Sequence, residues 1–157
     1  MRATGINFAD LMARMGMYAD APKLPAVVGY EVAGTIDSCG PQTEGCVDGE
    51  RVVALTRFGG YATEVCVPAT QVFPLPDSMS FADAAAIPVN YFTAYLALYH
   101  FGNLSEGERL LIHNAGGGVG VAAVELARLT GCTILGTASA QKHESLRELG
   151  VDHMIDY

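Results

Sequence analysis

One stretch constrains this chain more than any other: the short apolar run Arg109-Leu-Leu-Ile-His113 passes directly into Asn114-Ala-Gly-Gly-Gly-Val-Gly120. A run of that length suits a strand buried on both faces, and the glycines behind it suit a tight turn into a helix over about residues 119–130. Residues 133–138 form a second buried run, and the pattern over about 140–149 predicts a helix carrying Leu146 and Leu149 inward. Gly150 suits the left-handed cap of that helix, and a third strand starts within 151–157. Strand, helix, strand, helix, strand requires right-handed crossovers and a parallel sheet.

A strand that runs through glycines into a helix brings backbone N–H groups and the positive end of a helix dipole to one place, which is what a pyrophosphate needs. Asn114, Gly117 and Gly120 hold the three fingerprint positions, and Asn114, Gly117, Gly118, Val119 and Gly120 are the expected cofactor-binding residues of this loop. Asparagine in place of the first glycine is a mild departure, since it tolerates tight turns. An NAD-preferring fold places a carboxylate at the end of the second strand, but here that strand ends Gly136-Thr-Ala-Ser139 and Lys142 follows. A hydroxyl and a cation suit a 2′-phosphate, so the expected cofactor is NADP(H).

Upstream the texture differs. Short β-type runs at 27–36, 51–55 and 61–67, bounded by Gly40, Gly49 and Gly59-Gly60, predict a small antiparallel, barrel-like domain. Two prolines in segment 71–76 are expected to stop sheet pairing. Ser80 with Asp83 predicts a capped helix through Ala86, which Pro88 closes. A further helix begins near Asn90, with Ala94, Leu98 and Phe101 on one face and Gly102 at its end. The domains are expected at residues 1–78 and 79–157, with the boundary region around 78–92.

Half of the 157 residues are hydrophobic and 17% are charged, the profile of a packed α/β protein, and the formal net charge of -8 opposes a nucleic-acid partner. The most apolar stretch, residues 81–101, is broken by Asp83, Pro88 and Asn90, so no membrane span is expected and a cytoplasmic location is. Cys39, Cys46, Cys66 and Cys132 lack the close pairing of a zinc ribbon or redox motif and are expected as reduced thiols.

Six separated motifs carry a family resemblance: Gly-Ile-Asn7-Phe-Ala-Asp10-Leu-Met, Gly29-Tyr-Glu-Val-Ala-Gly34, Gly49-Glu-Arg-Val52, Asn90-Tyr-Phe-Thr-Ala-Tyr95, His113 to Gly120, and Gly136-Thr-Ala-Ser-Ala-Gln-Lys-His-Glu144. Over essentially its whole length the chain resembles the medium-chain dehydrogenase/reductase superfamily, in its zinc-independent quinone oxidoreductases and their vesicle amine transport protein branch. The resemblance implies a partial GroES-like catalytic domain followed by the first half of a Rossmann domain, with the nicotinamide in the cleft between them. It also implies a fragment, because relatives start before the Asn7 motif and continue past Tyr157.

The zinc-binding alcohol dehydrogenases of that superfamily place Cys and His where this chain has Asn7 and Tyr30, so the resemblance implies no metal. It places Asn7 and Thr93 near the nicotinamide and makes Tyr18 similar to an active-site tyrosine, with hydride passing to a quinone or an α,β-unsaturated carbonyl. Tyr157 occupies an adenosine-phosphate position and completes a pocket with Ser139 and Lys142; as the terminal residue its carboxylate is expected to weaken NADPH binding. Asp10 and Glu31 are expected to be buried structural acids. The implied partner is a small-molecule acceptor, with a homodimer for the longer relatives. A non-catalytic nucleotide-binding or interaction module is the alternative reading.

Overall fold

The structure, a computed structural model, describes residues 1–41 and 43–157. It divides into two compact units, Met1–Val89 and Asn90–Tyr157.

In the first unit β1 (Ala3–Thr4), β2 (Glu31–Thr35), β3 (Arg51–Leu55) and β4 (Val72–Pro74) form an antiparallel sheet in the order β1-β2-β3-β4. Between the first two strands runs helix α1 (Phe8–Arg14), and after the sheet comes α2 (Phe81–Ala85). Ser80 caps α2 by accepting the Asp83 N–H at 3.1 Å, as the sequence predicts. The core is small: Ala33, Leu75, Ala84 and Ala85 are buried, with Val53, Met79 and Phe81 packed against them. Alanine at 33, 84 and 85 allows the helix backbone to approach the sheet closely.

Three expectations for this unit fail. Residues 61–67 form no strand. That segment meets other backbone only at separate points, such as Tyr61 N–H to Val28 O at 2.9 Å, after Gly59 has turned the chain at a φ of +89°. The prolines of 71–76 do not stop pairing, because Val72–Pro74 lies at the edge of the sheet, where Pro74 opposite Val52 needs no outward N–H. Cys39 and Cys46 are not free thiols but a disulfide, Cα atoms 6.0 Å apart, brought together within the β2–β3 connection. Cys66 and Cys132 are free.

The second unit holds the expected parallel sheet, β5 (Arg109–Ile112), β6 (Thr133–Thr137) and β7 (His153–Ile155), in the order β5-β6-β7. The crossovers are α4 (Gly118–Thr130) and α5 (His143–Leu149), the latter preceded by a 3-10 turn over Ala140–Lys142. Gly131 and Gly150 close the two helices in left-handed conformation at φ of +76° and +118°. Ala122, Val124, Ala127, Ile134 and Leu146 fill the core between sheet and helices.

Helix α3 (Pro88–Tyr95) opens with Pro88, which therefore starts a helix and does not close the previous one. It continues as a π-helical turn over Leu96–Phe101. Gly102 N–H reaches back to Ala97 O, and this wider turn rotates the following residues off the expected stripe. Ala94 and Leu98 are buried as predicted, but Phe101 is 75% exposed. Strand β5 is buried on one face only: α4 packs against it on the side of Ile112, while Leu111 on the other face is 49% exposed.

Candidate functional site

The glycine loop of the second unit is built by local constraints that read residue by residue. Asn114 adopts the left-handed region at a φ of +53°, taking the turn that a glycine makes in the fingerprint. Thr137, at the end of β6, anchors the loop: its carbonyl accepts the Ala115 N–H at 2.9 Å and its hydroxyl the Asn114 N–H at 3.1 Å. Gly117 then caps α4 without a side chain, and the first intrahelical bond is Val121 N–H to Gly117 O at 2.8 Å. The N–H groups of Gly118, Val119 and Gly120 thus have no intrahelical partner and lie at the positive end of the helix.

Side chains are excluded from this loop by its own packing. A Cβ at Gly120 would lie 2.7 Å from Ala115 Cα, and one at Gly117 would lie 2.7 Å from Asn114 Nδ2. At Gly118 the obstacle would be Asn90 Oδ1, 2.6 Å away. Asn90, whose side chain lies over the helix start, was not among the residues the sequence singled out; only its place in the Asn90 to Tyr95 motif hinted at it.

The residues expected around a 2′-phosphate meet the same loop. Lys142, an exposed residue, donates from Nζ to Gly116 O at 2.9 Å. Tyr157 lies with its hydroxyl 3.4 Å from Asn114 Oδ1. Ser139 is exposed just past the end of β6 and stands at the start of the 3-10 turn, with no capping bond from its hydroxyl. Nearby, His143 Nε2 lies 2.8 Å from Ala138 O and 3.9 Å from Asp156 Oδ1, tying the ends of β6 and β7. N–H groups without intrahelical partners at a glycine-shaped helix start fit a dinucleotide, and the end of β6 offers a hydroxyl and a lysine and no carboxylate.

The other candidates are distributed over both units. Asn7 and Tyr18 lie in the first, Thr93 on α3 in the second, where it is exposed. Asn7 caps α1 and is half-buried. Its backbone N–H donates to Asp10 Oδ2 at 2.9 Å, and its Nδ2 donates to Glu31 Oε1 at 2.7 Å. Both acids are buried, as expected. Asp10 also accepts the Gly29 N–H and Glu31 the Val89 N–H, at 2.9 and 2.8 Å. Burial raises the Glu31 carboxyl above the usual carboxylate range, against the pull of its two N–H donors.

Tyr18 belongs to an aromatic row in the first unit. Its ring meets Tyr30 edge-on with centroids 6.1 Å apart, and Tyr30 lies 4.9 Å from Phe58. Burial drives the Tyr30 phenol upward, and burial together with Asp10 pushes Tyr61 up to about 12, so both stay protonated at neutral pH. Among the described residues no group of three or more His, Cys, Asp or Glu is placed to hold a metal ion, and no helix is long and apolar enough to cross a membrane.

Comparison with known proteins agrees with this arrangement. Residues 1–77 match the alcohol dehydrogenase GroES-like domain. The chain is 51% identical over its whole length to the human synaptic vesicle membrane protein VAT-1 homolog, of which it covers 40%. Among solved structures, CurK enoyl reductase is 34% identical with a TM-score of 0.93, covering 98% of this chain and 48% of that one. The quinone oxidoreductase of Thermus thermophilus, solved alone and with NADPH, is 37% identical with a TM-score of 0.85, covering 98% of this chain and 48% of its own. The chain therefore spans about half or less of the length of these relatives. By its GroES-like first unit, its glycine-loop second unit and these likenesses, the chain belongs to the medium-chain dehydrogenase/reductase superfamily, in which it is similar to quinone oxidoreductases and VAT-1 homologues.

Proposed function

We propose that the protein is an NADPH-dependent oxidoreductase that reduces a quinone or an α,β-unsaturated carbonyl without a metal. The observation that carries this reading is the Lys142 cation resting on the glycine loop at Gly116, beside a β6 end that offers a hydroxyl and no carboxylate. In this reading residues 1–78 contribute the acceptor side and residues 79–157 the cofactor side. NADPH supplies the hydride when bound. The N–H groups of Gly118, Val119 and Gly120 hold the pyrophosphate, Asn114 and Gly117 shape the turn, and Ser139, Lys142 and Tyr157 hold the 2′-phosphate. Asn7 and Thr93 orient the nicotinamide and the acceptor, and Tyr18 donates a hydrogen bond or a proton to the reduced product.

The printed names of relatives support both acceptor classes, one being a quinone oxidoreductase and another an enoyl reductase. An amide at Asn7 and a phenol at Tyr30, where metal-binding relatives carry sulfur and imidazole, support a metal-free reaction. The test is an acceptor screen with NADPH consumption as readout. Turnover of a quinone or enone that falls in Asn7→Ala and Thr93→Ala supports the reading, and no turnover with any member of either class contradicts it. That second result favours a non-catalytic nucleotide-binding module, a reading supported by the likeness to a protein named for synaptic vesicle membranes.

A further inference from the structure

Glu31 is 1% exposed, yet among the described residues no cation is paired with it: its carboxylate accepts from Asn7 Nδ2 through Oε1 and from Val89 N–H through Oε2. Burying a carboxylate among neutral donors is costly, and a hydrocarbon side chain in this strand would be buried more favourably. The surroundings are nevertheless shaped to keep it. Gly5 leaves room that any Cβ would deny, since such an atom would collide with the Glu31 carboxylate and lie 2.5 Å from Ala85 O. Asp10 fixes the backbone of the same asparagine, so Asn7 is held from two sides by two buried acids.

An asparagine amide has two donors and one acceptor oxygen, and its two ends are easily exchanged by rotation. A carboxylate accepts only, so at Oε1 it admits the NH2 end and rejects the carbonyl end. We propose that Glu31 is a positioning residue that orients the Asn7 amide, so that Asn7 presents one fixed edge to a carboxamide-bearing ring such as nicotinamide. This inference rests on the reading of Asn7 as a nicotinamide-facing residue. It gives the buried acid a role that acts through Asn7 and not through the fold alone. The ionised form is required, because a protonated Glu31 offers an O–H where an acceptor is needed. The titratable groups that face it are Asp10 from α1 and Tyr61.

A double-substitution cycle on NADPH affinity separates positioning from general structural support. Glu31→Gln keeps shape but loses one acceptor, and Asn7→Ser keeps a helix cap while it cannot reach Glu31. Glu31→Gln is expected to weaken NADPH binding roughly three- to tenfold in the otherwise native chain and by less than about twofold in the Asn7→Ser background. Equal losses in both backgrounds, or none in either, overturn the proposal while leaving the Asn7 reading intact. An Asn7→Ser chain that binds NADPH as well as the parent overturns the reading and the proposal with it. Should Glu31→Gln fail to fold, the native chain still decides the matter by NMR. The Asn7 side-chain amide resonances are expected to move as Glu31 titrates, and resonances that stay fixed overturn the proposal.

Discussion

Lys142 reaches back over the glycine loop and donates from Nζ to Gly116 O at 2.9 Å, which places a cation against backbone otherwise open to an anion. The packing is close: a Cβ at Gly116 would lie 2.5 Å from Lys142 Cδ. Lys142→Ala is expected to weaken NADPH binding roughly three- to tenfold, the lower range of a charge-assisted contact because the lysine is exposed. NADH affinity, measured by the same nicotinamide fluorescence, is expected to stay unchanged. An equal loss for both cofactors would place the lysine's effect in the loop's shape and not in phosphate recognition.

Gly120→Ala tests the loop's closeness directly. The added methyl would meet Ala115 Cα and carbonyl carbon at 2.7 and 2.8 Å, both backbone atoms that cannot swing aside. The expected destabilisation is about 1–3 kcal/mol, read from denaturant midpoints. A midpoint equal to the parent's would show that the start of α4 and the turn at Ala115 do not approach as described.

The π-helical turn yields a contrast between two neighbours. Leu98 is buried and Phe101 is not, so Leu98→Ala is expected to cost about 2–5 kcal/mol and Phe101→Ala within about 0.5 kcal/mol. A regular α-helix through this stretch predicts comparable costs. Thermal melts of the two variants decide between them.

Tyr91 donates to the Glu125 carboxylate, and this bond together with burial pushes its phenol up to about 12. The unfolded phenol titrates near pH ~10, so the folded pKa is the higher one. The stabilisation is therefore fully present below about pH 10 and is lost as pH rises through about 12. The stability gap between native and Tyr91→Phe chains is expected to be constant from neutral pH to about pH 9 and to close at higher pH. A gap that stays constant up to about pH 12 would contradict the bond.

Much of this was legible from local sequence, and the exceptions share a cause. Ser80 and Asp83, Gly150, and the run from Arg109 to Gly120 encode their conformations within a few residues, because caps and tight turns are satisfied by immediate neighbours. Phe101 departed from its expected face because one wider turn, invisible in periodicity, rotates everything after it. Residues 61–67 have the composition of a strand but no continuous partner, and pairing is a property of two segments. The Cys39–Cys46 bridge depends on the β2–β3 connection folding back on itself, which spacing does not report. Within the site, Asn7, Lys142 and the glycines were visible as motif members, whereas the hold of Glu31 on Asn7 and of Asn90 on the start of α4 required three dimensions.

The central claim, that this chain is built to bind a dinucleotide carrying a 2′-phosphate, is tested most directly by titrating it with NADPH and NADH and following nicotinamide fluorescence. The account predicts saturable binding of both through the shared glycine loop, with NADPH the tighter by at least about tenfold, the equivalent of about 1.4 kcal/mol from the phosphate contacts. Equal affinities, or a preference for NADH, would contradict it.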